Sequence, residues 1–176
     1  LYYRTSQPLD TQKGNYKLTT PGVALRFGVP FPFSMQSLLV SYWLAGLPAG
    51  SVAFRTIPPP MMPDALGAGE IDAFCVGEPR GSVAVETGAG ELLLPASAIW
   101  AAAPEKVLAA RAGWAEAEPD LAGRLLRAIW RAARWLGQPA NHSIAADLLA
   151  AHGGLAVGSD VIERVLTGRL LISAAG

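Results

Sequence analysis

Residues 70–80 read EIDAFCVGEPR, an apolar segment that contains the only cysteine of the chain and ends on Gly-Glu-Pro. An apolar run bounded by glycine and proline predicts a buried strand that turns at its carboxyl end. We interpret Cys75 as a buried structural thiol, because free cysteine is among the most often buried residue types. A nucleophilic thiol would need a base, and the two histidines, His142 and His152, lie far along the chain.

The segments around this strand alternate between strand and helix patterns. Strands are predicted at residues 23–29, 51–57, 71–77 and 91–96, and a triple proline at 58–60 ends the second one. Helices are predicted after Ser34, around residues 61–69 and after Pro79. Parallel strands need a crossover, and a helix is the usual one. The order therefore predicts an α/β fold with a mostly parallel central sheet and helices on both faces.

The carboxyl-terminal part is predicted to be helical. Pro119 and Asp120 open a helix with an apolar stripe on one side and four arginines on the other. Two more helices are predicted at residues 141–151 and 159–166. The arginines are interpreted as a solvated helix surface.

Composition limits the classes of function. The chain has 176 residues, 51% of them hydrophobic, and its 14 basic and 14 acidic side chains cancel. A net charge of zero provides no field that would collect nucleic acid, so no direct nucleic-acid partner is expected. No apolar run approaches the ~20 residues that span a bilayer. Because the chain begins with Leu1 rather than methionine, we interpret it as a piece of a longer protein.

The turn between the first predicted strand and its helix is a candidate anion site. Ser34 is a plausible N-cap, and Phe33 precedes it. The start of a helix presents free backbone amides and the positive end of the helix dipole, which favour a negative ligand. Lys106 is a second possible anion contact.

Glu78 follows a predicted strand at the position where open α/β sheets place their ligand crevice. It could bind a ligand or orient a neighbouring loop. It cannot pair directly with Asp72, because six residues of one strand span roughly 20 Å.

Metal and cofactor signals are lacking in the sequence. His142 and His152 have no cysteine or carboxylate partner at a spacing typical of zinc ligands. The glycines do not form a dinucleotide or P-loop motif. No metal site, no cofactor and no catalytic residue are therefore predicted, and the protein is not expected to be an enzyme.

Three segments together resemble the solute-binding proteins of nitrate and bicarbonate ABC importers, including their cytosolic nitrate-sensor relatives. They read FPFSMQSLLVSYWLA, TIPPPMMPDALGAGEIDAFCVGEP and PEKVLAARAGWAEAEPDLAGRLLRAIWRAARWL, and the resemblance covers most of residues 23–168. The resemblance implies one lobe of a type II periplasmic-binding-protein fold, with the ligand in a cleft between two lobes. It divides the chain into a connector from a missing first lobe (1–22), an α/β ligand-binding lobe (23–116) and a helical part packing on that lobe (117–176).

The resemblance also implies ligand contacts and partners. Phe33, Ser34, Glu78 and Lys106 are the expected ligand-binding residues. A lysine at position 106 implies nitrate or nitrite, because bicarbonate binders place an acid there that helps to hold calcium. An ammonium neutralises an anion directly, whereas a carboxylate needs a cation between itself and the anion. The expected partners are a small oxyanion and either ABC transporter membrane subunits or a regulatory protein.

Two departures from the family pattern bear on the ligand. Arg80 and Gly81 follow Gly-Glu-Pro where the family usually has tryptophan, and the turn at Phe33 and Ser34 is often glycine-rich in the family. The alternatives are a cytosolic nitrate sensor acting on an antiterminator, a sulfonate or taurine binding protein, and an enzyme of thiamine-pyrimidine synthesis with the same fold. The expected location is the periplasm or the cell envelope, or the cytoplasm for a sensor.

Overall fold

The computed structural model describes residues 1–3, 24–47 and 50–175. The chain forms two compact units, of which the first comprises Leu1–Ala103 with Leu170–Gly176 and the second Pro104–Arg169. The predicted connector at residues 1–22 falls outside the described residues except for 1–3. The division into residues 1–22, 23–116 and 117–176 stays a prediction.

A five-stranded sheet organises the first unit. Its strands are β1 (Tyr2–Tyr3), β2 (Leu25–Val29), β3 (Val52–Thr56), β4 (Ala73–Phe74) and β5 (Glu91–Leu92), in the spatial order β3-β2-β4-β1-β5. β2 is parallel to β3, with Leu25 opposite Val52, and parallel to β4, with Phe27 opposite Ala73. The predicted parallel core is confirmed, although β4 and β5 are shorter than the sequence indicated.

β1 is the strand that sequence reasoning missed. It lies between β4 and β5 and is antiparallel to both, with Tyr2 opposite Phe74 on one side and Leu92 on the other. Two residues have too little sequence to show a period of two, so no pattern could predict this strand. The antiparallel insertion makes the sheet mixed, which is common in α/β folds.

Helices cover both faces of the sheet, as predicted. The helices of the first unit are α1 (Met35–Trp43), α2 (Met62–Gly67), α3 (Arg80–Glu86) and α4 (Ala96–Ile99). Successive strand residues point to opposite faces. Phe74 accordingly packs with Met62 of α2 and Val85 of α3, while its neighbour Ala73 packs in a second cluster with Val40 of α1.

Local signals explain where these helices begin and end. Ser34 caps α1, and Pro63 lies in the first turn of α2, where a missing amide proton costs nothing. A short 3-10 segment at Pro59–Met61 follows the proline run that ends β3.

The second unit is helical, as predicted. It contains α5 (Trp114–Ala117), α6 (Pro119–Leu136), α7 (His142–His152) and α8 (Ser159–Leu166), with a 3-10 segment at Pro139–Asn141. Pro119 occupies the first turn of α6. The four arginines Arg124, Arg127, Arg131 and Arg134 are exposed.

The apolar stripe of α6 is exposed as well. Leu125 and Ile129 are 39% and 44% exposed, and Ala122 is the buried residue of the helix. No described helix is both long enough and apolar enough to cross a membrane. The amphipathic pattern was therefore predicted correctly, although it does not correspond to burial in this chain.

Candidate anion-binding site

The chain segments that precede α1, α2 and α3 all lie at one edge of the sheet. β2, β3 and β4 are parallel neighbours, so their carboxyl ends lie at the same edge. The turn at Phe33 and Ser34 follows β2, and the loop containing Glu78 follows β4. In open α/β sheets, this is the edge where ligands bind.

Ser34 caps α1 as the sequence predicts. Its backbone is extended, with φ −69° and ψ 155°, and its Oγ accepts a hydrogen bond from the amide of Ser37 at 3.2 Å. The amide of Ser34 in turn donates to the carbonyl of Phe31 at 3.0 Å, which closes the turn that precedes the helix. The nine residues of α1 direct the positive end of the helix dipole at this turn.

Phe33 is the most exposed part of the turn. Its side chain is 82% exposed and packs edge to face on Phe31, with ring centroids 5.8 Å apart. Such pairs are a favoured aromatic arrangement. Phe33 therefore lies at the sheet edge where the sequence placed it, and it presents apolar surface beside the capped helix end.

The carboxylate of Glu78 is held by protein groups. Its Oε2 accepts from the amide of Ser82 at 3.0 Å and from the Ser82 hydroxyl at 2.8 Å, and its Oε1 accepts from the hydroxyl of Tyr2. Ser82 lies in the first turn of α3, so Glu78 satisfies an amide that has no acceptor within the helix. We call these three residues the Tyr2–Glu78–Ser82 cluster.

Tyr2 fits tightly into this arrangement. Its ring stacks on Phe74 with centroids 5.3 Å apart, and only 2% of the residue is exposed. Burial first, and then the neighbouring Glu78 carboxylate, raises the pKa of the Tyr2 hydroxyl, which keeps it a proton donor. A Cβ atom on Gly81 would overlap the Tyr2 ring, so this close approach requires glycine.

Lys106 belongs to the second unit. It lies outside the helices and strands, its side chain is 82% exposed, and its Nζ is 2.6 Å from both carboxylate oxygens of the adjacent Glu105. The structure thus brings Phe33, Ser34 and Glu78 to one edge of the sheet in the first unit. Lys106 lies in the second unit.

Asp72 is a structural carboxylate. It is buried, and its two oxygens accept from the amide of Arg26 at 2.9 Å and from the Arg26 guanidinium at 3.0 and 2.6 Å. The hydrogen bond to Asp72 raises the pKa of Arg26. This pair ties the start of β2 to the start of β4.

The cysteine and the histidines take structural positions. Cys75 is 3% exposed in the cluster that contains Phe27 and Val40, as predicted. His142 begins α7, with its Nε2 3.1 Å from the carbonyl of Leu136, and His152 ends the same helix. The described residues contain no group of three or more potential metal ligands.

Comparison with known proteins shows the family to which the chain belongs. The sequence profile of the NMT1-like family matches residues 5–150. The chain belongs to the NMT1-like family. Its relatives in this family are the solute-binding regions of nitrate and bicarbonate ABC transporters, so the resemblance and the fold predicted from it are confirmed.

Three relatives show how far the similarity extends. The chain is 37% identical over 74% of its length to the nitrate import ATP-binding protein NrtC of Synechocystis, and 36% identical over 83% to the bicarbonate transport ATP-binding protein CmpC of the same organism. It spans 20% and 22% of those two relatives. The crystal structure of the periplasmic nitrate-binding protein NrtA from Synechocystis superposes with a TM-score of 0.77 at 27% identity, covering 84% of this chain and 39% of NrtA.

The partners of Glu78 were not identified from the sequence of this NMT1-like chain. Ser82 could have been found, since a carboxylate four residues before a serine can satisfy a first-turn amide. Tyr2 could not, because it is 76 residues away along the chain and meets Glu78 only through the placement of β1 between β4 and β5.

Proposed function

We propose that this chain is the solute-binding component of a nitrate- or nitrite-type ABC importer and binds a small oxyanion. The observation that carries the proposal is the joint similarity, in sequence and in fold, to nitrate import proteins, including NrtA. The proposed location is the periplasm, as in NrtA, with ABC transporter membrane subunits as partners.

The capped turn supplies the physical basis for anion binding. Ser34 fixes the start of α1 at the carboxyl edge of a parallel sheet, where amides and the helix dipole attract negative charge. Phe33 would cover one side of a bound ion and exclude water. Exclusion of water strengthens each electrostatic contact to the ligand.

Lys106 is the proposed charged contact. Among the described residues, its ammonium is paired with the carboxylate of the adjacent Glu105, an exposed contact of the kind that contributes little. An anion would therefore meet little resistance in taking the place of Glu105. A lysine neutralises nitrate without a metal, in line with the nitrate-type pattern that the sequence resembles.

Bicarbonate is the second candidate ligand, because CmpC is nearly as similar to this chain as NrtC. The presence of Lys106 rather than an acid argues against a calcium-dependent bicarbonate site. A titration with and without calcium separates the two ligands.

Calorimetric titration of the full-length protein with nitrate, nitrite, an alkylsulfonate and bicarbonate tests the proposal. We expect nitrate or nitrite to bind without calcium, and Lys106→Ala to weaken that binding by at least ~1.5 kcal/mol, the lower range for a hydrogen bond to a charged group. Arg111→Ala removes an exposed positive charge from the same segment and serves as the matched control.

Two results would contradict the proposal. Binding of bicarbonate alone, and only with calcium, would replace the proposed ligand. Equal losses of nitrate affinity in Lys106→Ala and Arg111→Ala would mean that Lys106 acts only through the overall positive charge of this segment and does not contact the anion.

A further inference from the structure

The loop that follows β4 is held in place by contacts with β1 and with α3. Glu78 is anchored by the Tyr2 hydroxyl and by two groups of Ser82, and Gly81 lies against the Tyr2 ring. These contacts connect the β4 loop to α3, which follows it directly, and to β1, which is 76 residues away in sequence. The backbone of residues 77–79 is therefore fixed before any ligand arrives.

Gly77 is the part of this loop that faces open space. The residue is exposed, and a Cβ atom added there would have no other atom within 4 Å. It lies at the same edge as the Ser34 turn, because β2 and β4 are parallel neighbours. Gly77 therefore exposes its backbone, without a side chain to cover it, at the edge of the sheet where the ligand is proposed to bind.

Electrostatics argue against direct contact between Glu78 and an anion. Two negative groups at close range repel each other unless a cation lies between them. The carboxylate instead accepts three hydrogen bonds from within the protein, so both of its oxygens are used to hold the loop. Partly buried polar clusters of this kind fix geometry when every member has a partner.

We propose that Glu78 is a positioning residue for the ligand, and that the Tyr2–Glu78–Ser82 cluster holds the backbone at Gly77 as a second wall of the anion site. This inference rests on the proposed function and refines one of its expected contacts. Glu78 acts through the loop that it fixes, and Gly77 is the residue that meets the ligand.

Replacement of Glu78 by two different residues separates positioning from direct contact. Glutamine keeps the size of the side chain, an acceptor for Ser82 and a group able to pair with the Tyr2 oxygen, but it removes the charge. Alanine removes all three. We expect Glu78→Ala to weaken nitrate binding by about tenfold or more, as for other groups that orient ligand contacts, and Glu78→Gln to stay within about threefold of the parent protein.

Gly77→Ala tests whether the backbone at Gly77 contacts the anion. We expect an unchanged melting temperature, because the added methyl group meets open space, and a severalfold loss of nitrate affinity. Gly46→Ala is the matched control, since Gly46 is equally open and lies after α1 on the approach to the amino end of β3. Glu70→Ala, an exposed carboxylate before β4, is the control for Glu78→Ala.

Each outcome has one interpretation. If the parent protein binds none of the anions, the proposed function fails and this inference fails with it. If nitrate binds, two results overturn the inference alone: a loss of about tenfold or more in Glu78→Gln relative to the parent protein, or Gly77→Ala binding as well as Gly46→Ala. The glutamine and glycine variants keep the test decisive even if Glu78→Ala does not fold.

Discussion

The two regions that carry the expected ligand contacts differ in how their side chains are held. At the sheet edge of the first unit, Ser34 and Glu78 are bound to the backbone of the helices that they precede. Lys106, in the second unit, pairs with its neighbour Glu105, and its side chain is 82% exposed. The side chains at the sheet edge therefore contribute to the stability of the fold through their hydrogen bonds, whereas the exposed charge of Lys106 contributes little to stability.

This difference predicts that substitutions in the two regions separate stability from binding. Loss of the hydrogen-bonding side chain of Ser34 or Glu78 should reduce the free energy of unfolding as well as the affinity for the anion. The change at Lys106 should reduce affinity alone, because exposed surface substitutions usually alter stability by less than about 0.5 kcal/mol.

The largest expected effect is at Gly81. Gly81→Val would force a side chain into the Tyr2 ring, so we expect the free energy of unfolding to fall by about 1–3 kcal/mol or more, as in overpacked cores. Urea unfolding followed by circular dichroism measures the loss. Gly46→Val, at an open position, is the control. Equal stability of the two variants would mean that the sheet edge is not tightly built.

The next effect concerns Tyr2 and appears at alkaline pH. Because burial and Glu78 raise the pKa of the folded-state hydroxyl above the ordinary value of about 10, the unfolded chain loses this proton first as the pH rises. The stabilisation is complete below pH ~10 and falls above it by about 1.4 kcal/mol per pH unit for one proton.

Tyr2→Phe isolates this contribution. The variant should lose about 1–3 kcal/mol at neutral pH, because Glu78 loses a partner, and its stability should then decline less steeply above pH ~10. Unfolding curves at a series of pH values measure both quantities. Parallel declines in parent and variant would show that Tyr2 is not the titrating group.

Among the three positions Gly81, Tyr2 and Ser34, the smallest effect on stability is expected at Ser34. Ser34→Ala removes the cap of α1 and should cost about 1 kcal/mol of stability, together with part of the nitrate affinity. Ser34→Asp, which can cap but carries a negative charge, should restore stability and weaken nitrate binding further. A variant series in which stability and affinity change in proportion would mean that Ser34 has only a structural role.

Much of the fold followed from local patterns. The N-cap at Ser34, the proline-opened helix α6, the parallel strands and the buried Cys75 were all predicted, because capping groups, proline and apolar periodicity act within one or two turns of chain. The expected ligand contacts Phe33, Ser34, Glu78 and Lys106 remain predictions, and the structure assigns each of them a definite environment.

The apolar stripe of α6 marks a limit of pattern reasoning. A spacing of four residues places Leu121, Leu125 and Ile129 on one face of the helix and predicts that this face is packed, yet all three are exposed in this chain. Periodicity reports which side of a helix is apolar. It does not report what lies against that side.

The sequence by itself determined helices α1 to α3 and the parallel strands of the first unit, the family, and the residues that precede α1 and α3. Only the tertiary structure decided that β1 enters the sheet between β4 and β5, and so brings Tyr2 to Glu78 across 76 residues of sequence. The physical reason is range. Caps and periodic patterns are local interactions, whereas the choice of a strand's neighbours depends on how the whole sheet buries both of its faces.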